Sequence, residues 1–285
     1  AIVFGGRSTE VSRREFVRLA YGVFKAAGEE EELVDAIGQR IDAGENRLRR
    51  VLAQVRLHQG QMDEALALEL AYIDGPDFDA LSRAYRRGLA FENARKLPDA
   101  VEMYEQALAL PYKAPNLPDP DEEAMQRSMM RQMAAPMFVG PDSPVGQAQF
   151  QAGVLQRLER LYAALGQAER VFETTLRQFE ANPALLDNLE TLVQAARRAE
   201  VLGREERFNT WLVLQVPKAR APAARANIHW VRKDYAACSQ ALAESFKGQE
   251  SHGYAYQGWM DRFRAVGVEQ LRLLLTTILD ADPAN

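Results

Sequence analysis

Amphipathic helical segments separated by short breaks recur along most of the chain. Within each segment apolar residues return every three or four positions, the spacing of one face of an α-helix. Proline marks many of the breaks, since it removes a backbone donor and clashes with the preceding helical turn. These prolines stand at positions 76, 111, 183, 217 and 283, one or two periods of roughly 35 residues apart. Breaks at 42–44 and 248–253 fit the same period, and no alternating strand pattern is found, so an all-α helical repeat is predicted.

The clearest repeat unit runs from Leu81 to Pro111. Its first helix carries a small residue followed by an aromatic one, and its second helix carries alanine followed by an aromatic residue before a closing proline. These residues are Gly88, Phe91, Ala100, Tyr104, Ala107 and Pro111. The pattern resembles the tetratricopeptide repeat, although Pro111 stands one residue early. The resemblance implies an α-solenoid of helix-turn-helix repeats wound into a right-handed superhelix.

Divergent copies of this unit are expected on both sides of it. In the preceding copy Arg56 and Glu69 stand at the positions where the pattern has aromatic residues. The small residues, the turn glycine and the closing proline are kept as Ala53, Ala65, Gly60 and Pro76. One later copy keeps Leu155, Leu158, Tyr162, Gly166 and Pro183. The copy after it keeps Ala196, Gly203 and Pro217. About seven helix pairs are predicted, each completing its core against its neighbours. Gly28, Gly60, Gly166 and Gly203 are expected to end helices in the left-handed conformation.

Residues 111–150 break this order, because seven of the 13 prolines lie there. We therefore divide the chain into repeats over 1–110, an insertion over 111–150 and further repeats over 151–285. The insertion is predicted to contain one short helix from Asp121 to Met133, on which Met125, Met129 and Met133 form a stripe. The favoured interpretation is that this stripe packs on the repeats as adaptable core. The alternatives are a contact surface for a partner and a thioether copper(I) site, which no nearby His or Cys supports.

Charge and composition exclude several classes of protein. The chain has 40 acidic and 35 basic residues, a net charge of −5, which argues against a dedicated nucleic-acid binder. A single cysteine, Cys238, excludes an internal disulfide and is predicted to be a small buried residue. The histidines at 58, 229 and 252 lack metal-ligand spacing, and no run is long enough to span a membrane. No cofactor, metal or catalytic group is predicted, so the chain is not expected to be an enzyme.

Two further clusters have a structural and a functional interpretation. The stretch from Arg207 to Lys233 holds six basic residues and no acidic one, with Trp211 and Trp230 between them. We favour a solvated face with counter-charges from neighbouring helices over a site for an acidic peptide or nucleic acid. Near the end of the chain four aromatic residues lie close together, at positions 254, 256, 259 and 263. They are interpreted as contacts between stacked helices rather than as an interface.

The predicted function is that of a non-catalytic scaffold. Resemblance to tetratricopeptide proteins implies a concave groove, lined by the first helix of each pair, that binds a protein or peptide partner. The residues expected on this face are Arg50, Gln54, Tyr85, Leu89, Asn93, Gln156, Arg160 and Arg197. The alternative, motivated by the Ala start and the repeat-like ending, is a regulatory or substrate-recruiting region of a larger enzyme. The sequence does not decide the oligomeric state. For the compartment, the cytoplasm is favoured over the periplasm. The excess of Arg over Lys suggests a bacterial gene.

Overall fold

The computed structural model describes residues 13–113, 144–219, 221–247 and 253–281, and all regular structure within these ranges is helical. The α-helices are α1 (Arg13–Ala27), α2 (Glu30–Asp42), α3 (Leu48–His58), α4 (Met62–Ile73), α5 (Ala80–Asn93), α6 (Leu97–Ala109), α7 (Pro144–Ala164), α8 (Ala168–Ala181), α9 (Leu189–Val201), α10 (Glu205–Gln215), α11 (Pro222–Val231), α12 (Tyr235–Phe246), α13 (Gly253–Val266) and α14 (Val268–Ala281). Short 3₁₀ turns cover Pro183–Asp187 and Val216–Lys218. The predicted all-α class is confirmed.

Consecutive helices form seven pairs in the described residues, α1 with α2 through α13 with α14, as the repeat pattern predicted. In six of the seven pairs the turn contains one residue in the left-handed region of φ. Gly28, Gly60, Gly166 and Gly203 have φ between 64° and 79°, which confirms the predicted left-handed caps. In two other pairs a basic residue takes this place, Arg95 with φ 58° and Lys233 with φ 59°. Such a conformation costs an L-residue about 1–2 kcal/mol, so packing of the helix pair must offset the strain.

Two compact units divide the chain, Ala1–Val154 and Leu155–Asn285, and the division falls inside α7. In the first unit, apolar residues of each pair join those of the next first helix. Val17 of α1, Ile37 and Ile41 of α2 and Val55 of α3 belong to one buried cluster. The pairs therefore complete one another's cores, which is the packing expected of a repeat protein.

The pair α5–α6 shows why the repeat needs a small residue on its first helix. A Cβ atom placed on Gly88 would lie 2.7 Å from Cε1 of Tyr104, a residue that is fully buried. The hydroxyl of Tyr104 donates a hydrogen bond to Oε2 of Glu92 at 2.6 Å, which fixes the ring against α5. Gly88 and Tyr104 thus set the distance between the two helices.

In the second unit the 3₁₀ turn after Pro183 takes part in the core. Leu186 in this turn is buried in a cluster with Leu192 of α9 and Ile228 of α11. Nδ2 of the buried Asn227, also on α11, donates hydrogen bonds to the carbonyl oxygens of Leu186 at 3.0 Å and Asp187 at 2.9 Å. The break predicted at Pro183 is therefore an ordered part of the fold.

Part of the predicted insertion is helical. Helix α7 begins at Pro144, inside the range 111–150, and Phe150 on α7 contacts the ring of Tyr112 at 5.7 Å. The predicted helix with Met125, Met129 and Met133 lies outside the described residues, and its docking stays a prediction. None of the described helices is both long and apolar enough to cross a membrane.

Candidate partner-binding surface

The first-helix face of the first unit begins on α3, with Arg50 and Gln54. Nε of Arg50 lies 3.2 Å from Oε1 of Glu69 on α4, and its guanidinium lies over the ring of Tyr72 at 5.6 Å. Arg50 is therefore held against the second helix of its own pair. Gln54 is half-buried, and its Oε1 atom is buried and accepts no hydrogen bond within the described part of the chain. This oxygen is therefore not open to a partner.

Tyr85, Leu89 and Asn93 continue this face on α5. The ring of Tyr85 contacts Tyr104 at 5.9 Å and Phe150 at 5.4 Å, so its own chain encloses it on two sides. Leu89 is half-buried and Asn93 is exposed. On this helix Asn93, the residue nearest to the turn with α6, is thus more open to a partner than Tyr85.

In the second unit Gln156, Arg160 and Arg197 are all exposed. Nε of Arg160 donates a long hydrogen bond of 3.4 Å to the backbone oxygen of Gln156. Arg160 and Arg197 each lie six residues before the left-handed glycine of their turn, Gly166 and Gly203, and so occupy equivalent positions on α7 and α9. Neither arginine pairs with a carboxylate among the residues that the structure describes.

A polar network beside these two arginines holds α7 and α9 together, and the sequence analysis missed it. Glu159 on α7 accepts hydrogen bonds from Nη1 of Arg198 on α9 and, at 2.8 Å, from Nε2 of Gln178 on α8. The same Nη1 atom lies 3.0 Å from Oγ1 of Thr175. Glu159 is thus already neutralised by Arg198, and its charge is not available to Arg160.

Two arginines at the start of the second helix α10 are paired with glutamates of α8. Arg204, which precedes α10, contacts Glu169 at 2.7 Å, and Arg207 binds Glu173 through Nη1 and Nη2. The hydrogen bond to Glu173 raises the pKa of Arg207. On the first helix α11, Arg225 contacts Glu244 of α12 at 2.6 Å. The interpretation of the basic stretch as a face with counter-charges from neighbouring helices is confirmed for Arg207 and Arg225.

The terminal aromatic residues are structural where the structure describes them. Phe263 is fully buried, and its ring contacts those of Trp230 at 5.2 Å and Trp259 at 6.5 Å. The side chains of Tyr254 and Tyr256 lie outside the described residues. The interpretation as contacts between stacked helices is therefore confirmed for Trp259 and Phe263.

The remaining groups that could carry chemistry are dispersed. Cys238 is fully buried, as predicted, and burial raises the pKa of its thiol to about 12. Burial also lowers the pKa of His229, although Asp234 opposes this shift. His58 stacks on Tyr21 at 5.5 Å, and His252 lies outside the described residues. Among the described residues no group of three His, Cys, Asp or Glu side chains could hold a metal ion.

One open depression lies on a second helix. It has a volume of about 470 Å³ and is lined by residues of α10, namely Glu206, Arg207, Thr210, Trp211 and Leu214. The indole of Trp211 donates to Oε1 of Glu180 at 3.1 Å, which fixes the apolar side of the depression. This surface is the main rival to the first-helix face as a place for a partner.

Comparison with known proteins gives no family assignment. No protein-family model matches the chain, and no curated protein matches it. A solved structure that does match is the C-terminal part of a TPR repeat-containing protein from Cytophaga hutchinsonii, at 14% identity over 94% of this chain and 96% of that chain. The TM-score is 0.22, too low to carry an argument about this fold, which rests on the helix pairs themselves.

Proposed function

We propose that this chain is a non-catalytic helical-repeat scaffold that binds a protein or peptide partner on its first-helix face. The observation that carries the proposal is the contrast between two sets of arginines in the second unit. Arg160 and Arg197 occupy equivalent exposed positions on first helices without a carboxylate partner, whereas Arg204 and Arg207 on the second-helix side are paired with glutamates. Arg160 and Arg197 are therefore open to a partner, whereas Arg204 and Arg207 bind carboxylates of their own chain.

The chemistry of this face suits a peptide. An exposed guanidinium offers five donors in a planar fork, which matches a carboxylate or several peptide carbonyl oxygens. In the first unit Leu89 offers half-buried apolar surface beside exposed Asn93. A peptide carries both polar and apolar groups of these kinds.

The proposal predicts that reversing the two free charges weakens partner binding. A partner captured from the native source by the full chain should bind the Arg160→Glu, Arg197→Glu double variant at least about ten-fold more weakly, a loss of about 1.4 kcal/mol. Isothermal titration with the identified partner measures this change. Helicity and melting temperature should be unaltered, since both residues are exposed and make no ion pair within the described residues.

Arg170→Glu is the matched control. Arg170 is exposed like the other two but lies on the second helix α8, so its reversal should leave the affinity unchanged. Tyr85→Ala is a poor choice for this test, because Tyr85 packs on Phe150 and its loss would also affect stability. Equal affinity of the double variant and the unmodified chain would show that the partner does not use this face in the second unit.

A further inference from the structure

The outer surface of α10 departs from the repeat at one position. In the six pairs whose turn contains a left-handed residue, the residue eleven positions later lies on the second helix. On five of these second helices that residue is polar, charged or small: Gln39, Ala71, Gln106, Arg177 and Glu244. On α10 it is Leu214, which is 61% exposed. A large apolar side chain thus meets solvent where the equivalent helices place none.

Neighbouring residues extend this apolar surface. Val213 is 46% exposed, whereas the equivalent residues of α8 and α12, Leu176 and Ala243, are buried. Trp211 lines the same depression as Leu214. Trp211, Val213 and Leu214 together define the α10 patch. Helix pairs precede and follow α10 in the described residues, so the patch is not a free end of the repeat. Contiguous exposed apolar surface usually marks an interaction site.

The indole of Trp211 is held in place by its own chain. Its ring stacks on Phe208, with the ring centroids 5.9 Å apart and the planes 10° apart, and it contacts Phe179 at 5.5 Å. Its Nε1 atom donates a hydrogen bond to Oε1 of Glu180 at 3.1 Å. A side chain fixed in this way loses little conformational freedom on binding. The depression of about 470 Å³ that it lines is therefore a preformed place for an apolar side chain.

The charges at the depression favour a basic partner. Glu206 lines the depression and Glu180 holds its indole. Both carboxylates are exposed, and neither is paired with a basic residue in the part of the chain that the structure describes. Arg207, the basic residue of the lining, is bound to Glu173 through two hydrogen bonds. Lys218 is exposed beyond the end of α10 but does not line the depression. Two uncompensated carboxylates thus lie beside the apolar surface.

We infer that the α10 patch binds a basic segment of a partner protein that carries a large apolar side chain. The apolar side chain lies against Trp211 and Leu214, and Lys or Arg residues next to it pair with Glu180 and Glu206. The first-helix face offers unpaired guanidinium groups and so suits a segment of the opposite charge. The α10 patch is therefore a second binding surface, and the inference does not depend on the proposed function.

Two short synthetic peptides test the inference with the full chain. They share the same Leu and Phe positions, and one has Lys where the other has Glu. The Lys peptide should bind and shift the indole N–H resonance of Trp211, which is assigned with the Trp211→Phe variant. The resonances of Trp230 and Trp259 should stay in place. The Glu peptide should cause no shift at ~1 mM, a concentration that detects weak binding.

Variants of the full chain locate the contact. Leu214→Ala should weaken binding of the Lys peptide about ten-fold, because the apolar contact is lost. Glu180→Gln combined with Glu206→Gln should weaken it by about three- to ten-fold, the effect expected of two exposed ion pairs. The glutamine at position 180 can still accept the indole hydrogen bond. Val201→Ala is the matched control, since it changes a valine on α9 that is 86% exposed, and it should bind normally.

Several results would overturn the inference. An unshifted Trp211 resonance at ~1 mM Lys peptide, equal affinity for both peptides, or unchanged binding by Leu214→Ala would each do so. A photoreactive amino acid at position 214 of the purified full chain supplies a further check. Its cross-linking to residues 114–143 or to a second copy would show that the chain itself covers the patch. The Arg160→Glu, Arg197→Glu variant should bind the Lys peptide no more weakly than the unmodified chain, so the two surfaces are tested separately.

Discussion

Replacement of Gly88 by alanine is expected to lower the free energy of unfolding by about 1–3 kcal/mol, the usual cost of overpacking a core. In a helix, alanine is normally more stable than glycine by about 1 kcal/mol. The expected loss of stability in Gly88→Ala is therefore opposite in sign to the helix preference. The reason is the added Cβ atom, which would lie 2.7 Å from Cε1 of Tyr104. The ring cannot withdraw easily, because it is fully buried and its hydroxyl is bound to Glu92. Urea denaturation measures the change.

Gly38→Ala supplies the matched control for this prediction. Gly38 lies within α2, and a Cβ atom there would meet nothing within 4 Å. This variant should gain about 0.5–1 kcal/mol of stability from helix preference alone. Combining Gly88→Ala with Tyr104→Ala should cost less than the sum of the two single changes, since the clash disappears with the ring. If Gly88→Ala is as stable as Gly38→Ala, the spacing of the α5–α6 pair is not set by this contact.

Leu186→Ala is expected to cost about 2–5 kcal/mol, as is typical for a buried leucine. Leu186 is 1% exposed and packs among residues of α9 and α11, although it lies in a short 3₁₀ turn. The hydrogen bonds from Asn227 to Leu186 and Asp187 hold the turn in place, so the structure has little freedom to close the cavity. Thermal and urea unfolding of the full chain measure the loss.

Leu214→Ala is the comparison for Leu186→Ala, because Leu214 lies exposed on α10. Exposed substitutions usually change stability by less than about 0.5 kcal/mol. Asn227→Ala should independently destabilise the chain by about 1–3 kcal/mol, since it leaves two carbonyl oxygens without their donor. Near-equal stability of the Leu186→Ala and Leu214→Ala variants would contradict the assignment of this turn to the core.

The helix pairs and their turns could be predicted from sequence because their causes are local. Proline at 76, 111, 183 and 217 ends or follows a helix, and glycine at 28, 60, 166 and 203 takes a positive φ. The equivalent turns at Arg95 and Lys233 could not be recognised in this way. A basic residue carries no signal for a left-handed conformation, and only the packing of the pair imposes it.

Contacts distant in sequence account for the features that the pattern did not predict. Asn227 meets Leu186 and Asp187 from about 40 residues away, and Glu159 is bound by Arg198 from a different pair. Tyr85 was assigned to a partner-binding face from its position on α5, but the contact with Phe150 depends on where α7 begins. The spacing of residues along one helix identifies a face, whereas it does not show what covers that face.

Site-specific photo-cross-linking in the native source tests the proposed binding surface most directly. A photoreactive amino acid is placed in turn at positions 160 and 197 on first helices and at position 210, in the depression on α10. We expect the same protein to be cross-linked from positions 160 and 197 and not from position 210. Cross-links to that protein from position 210 alone, with none from 160 and 197, would contradict binding on the first-helix face and assign the partner to α10.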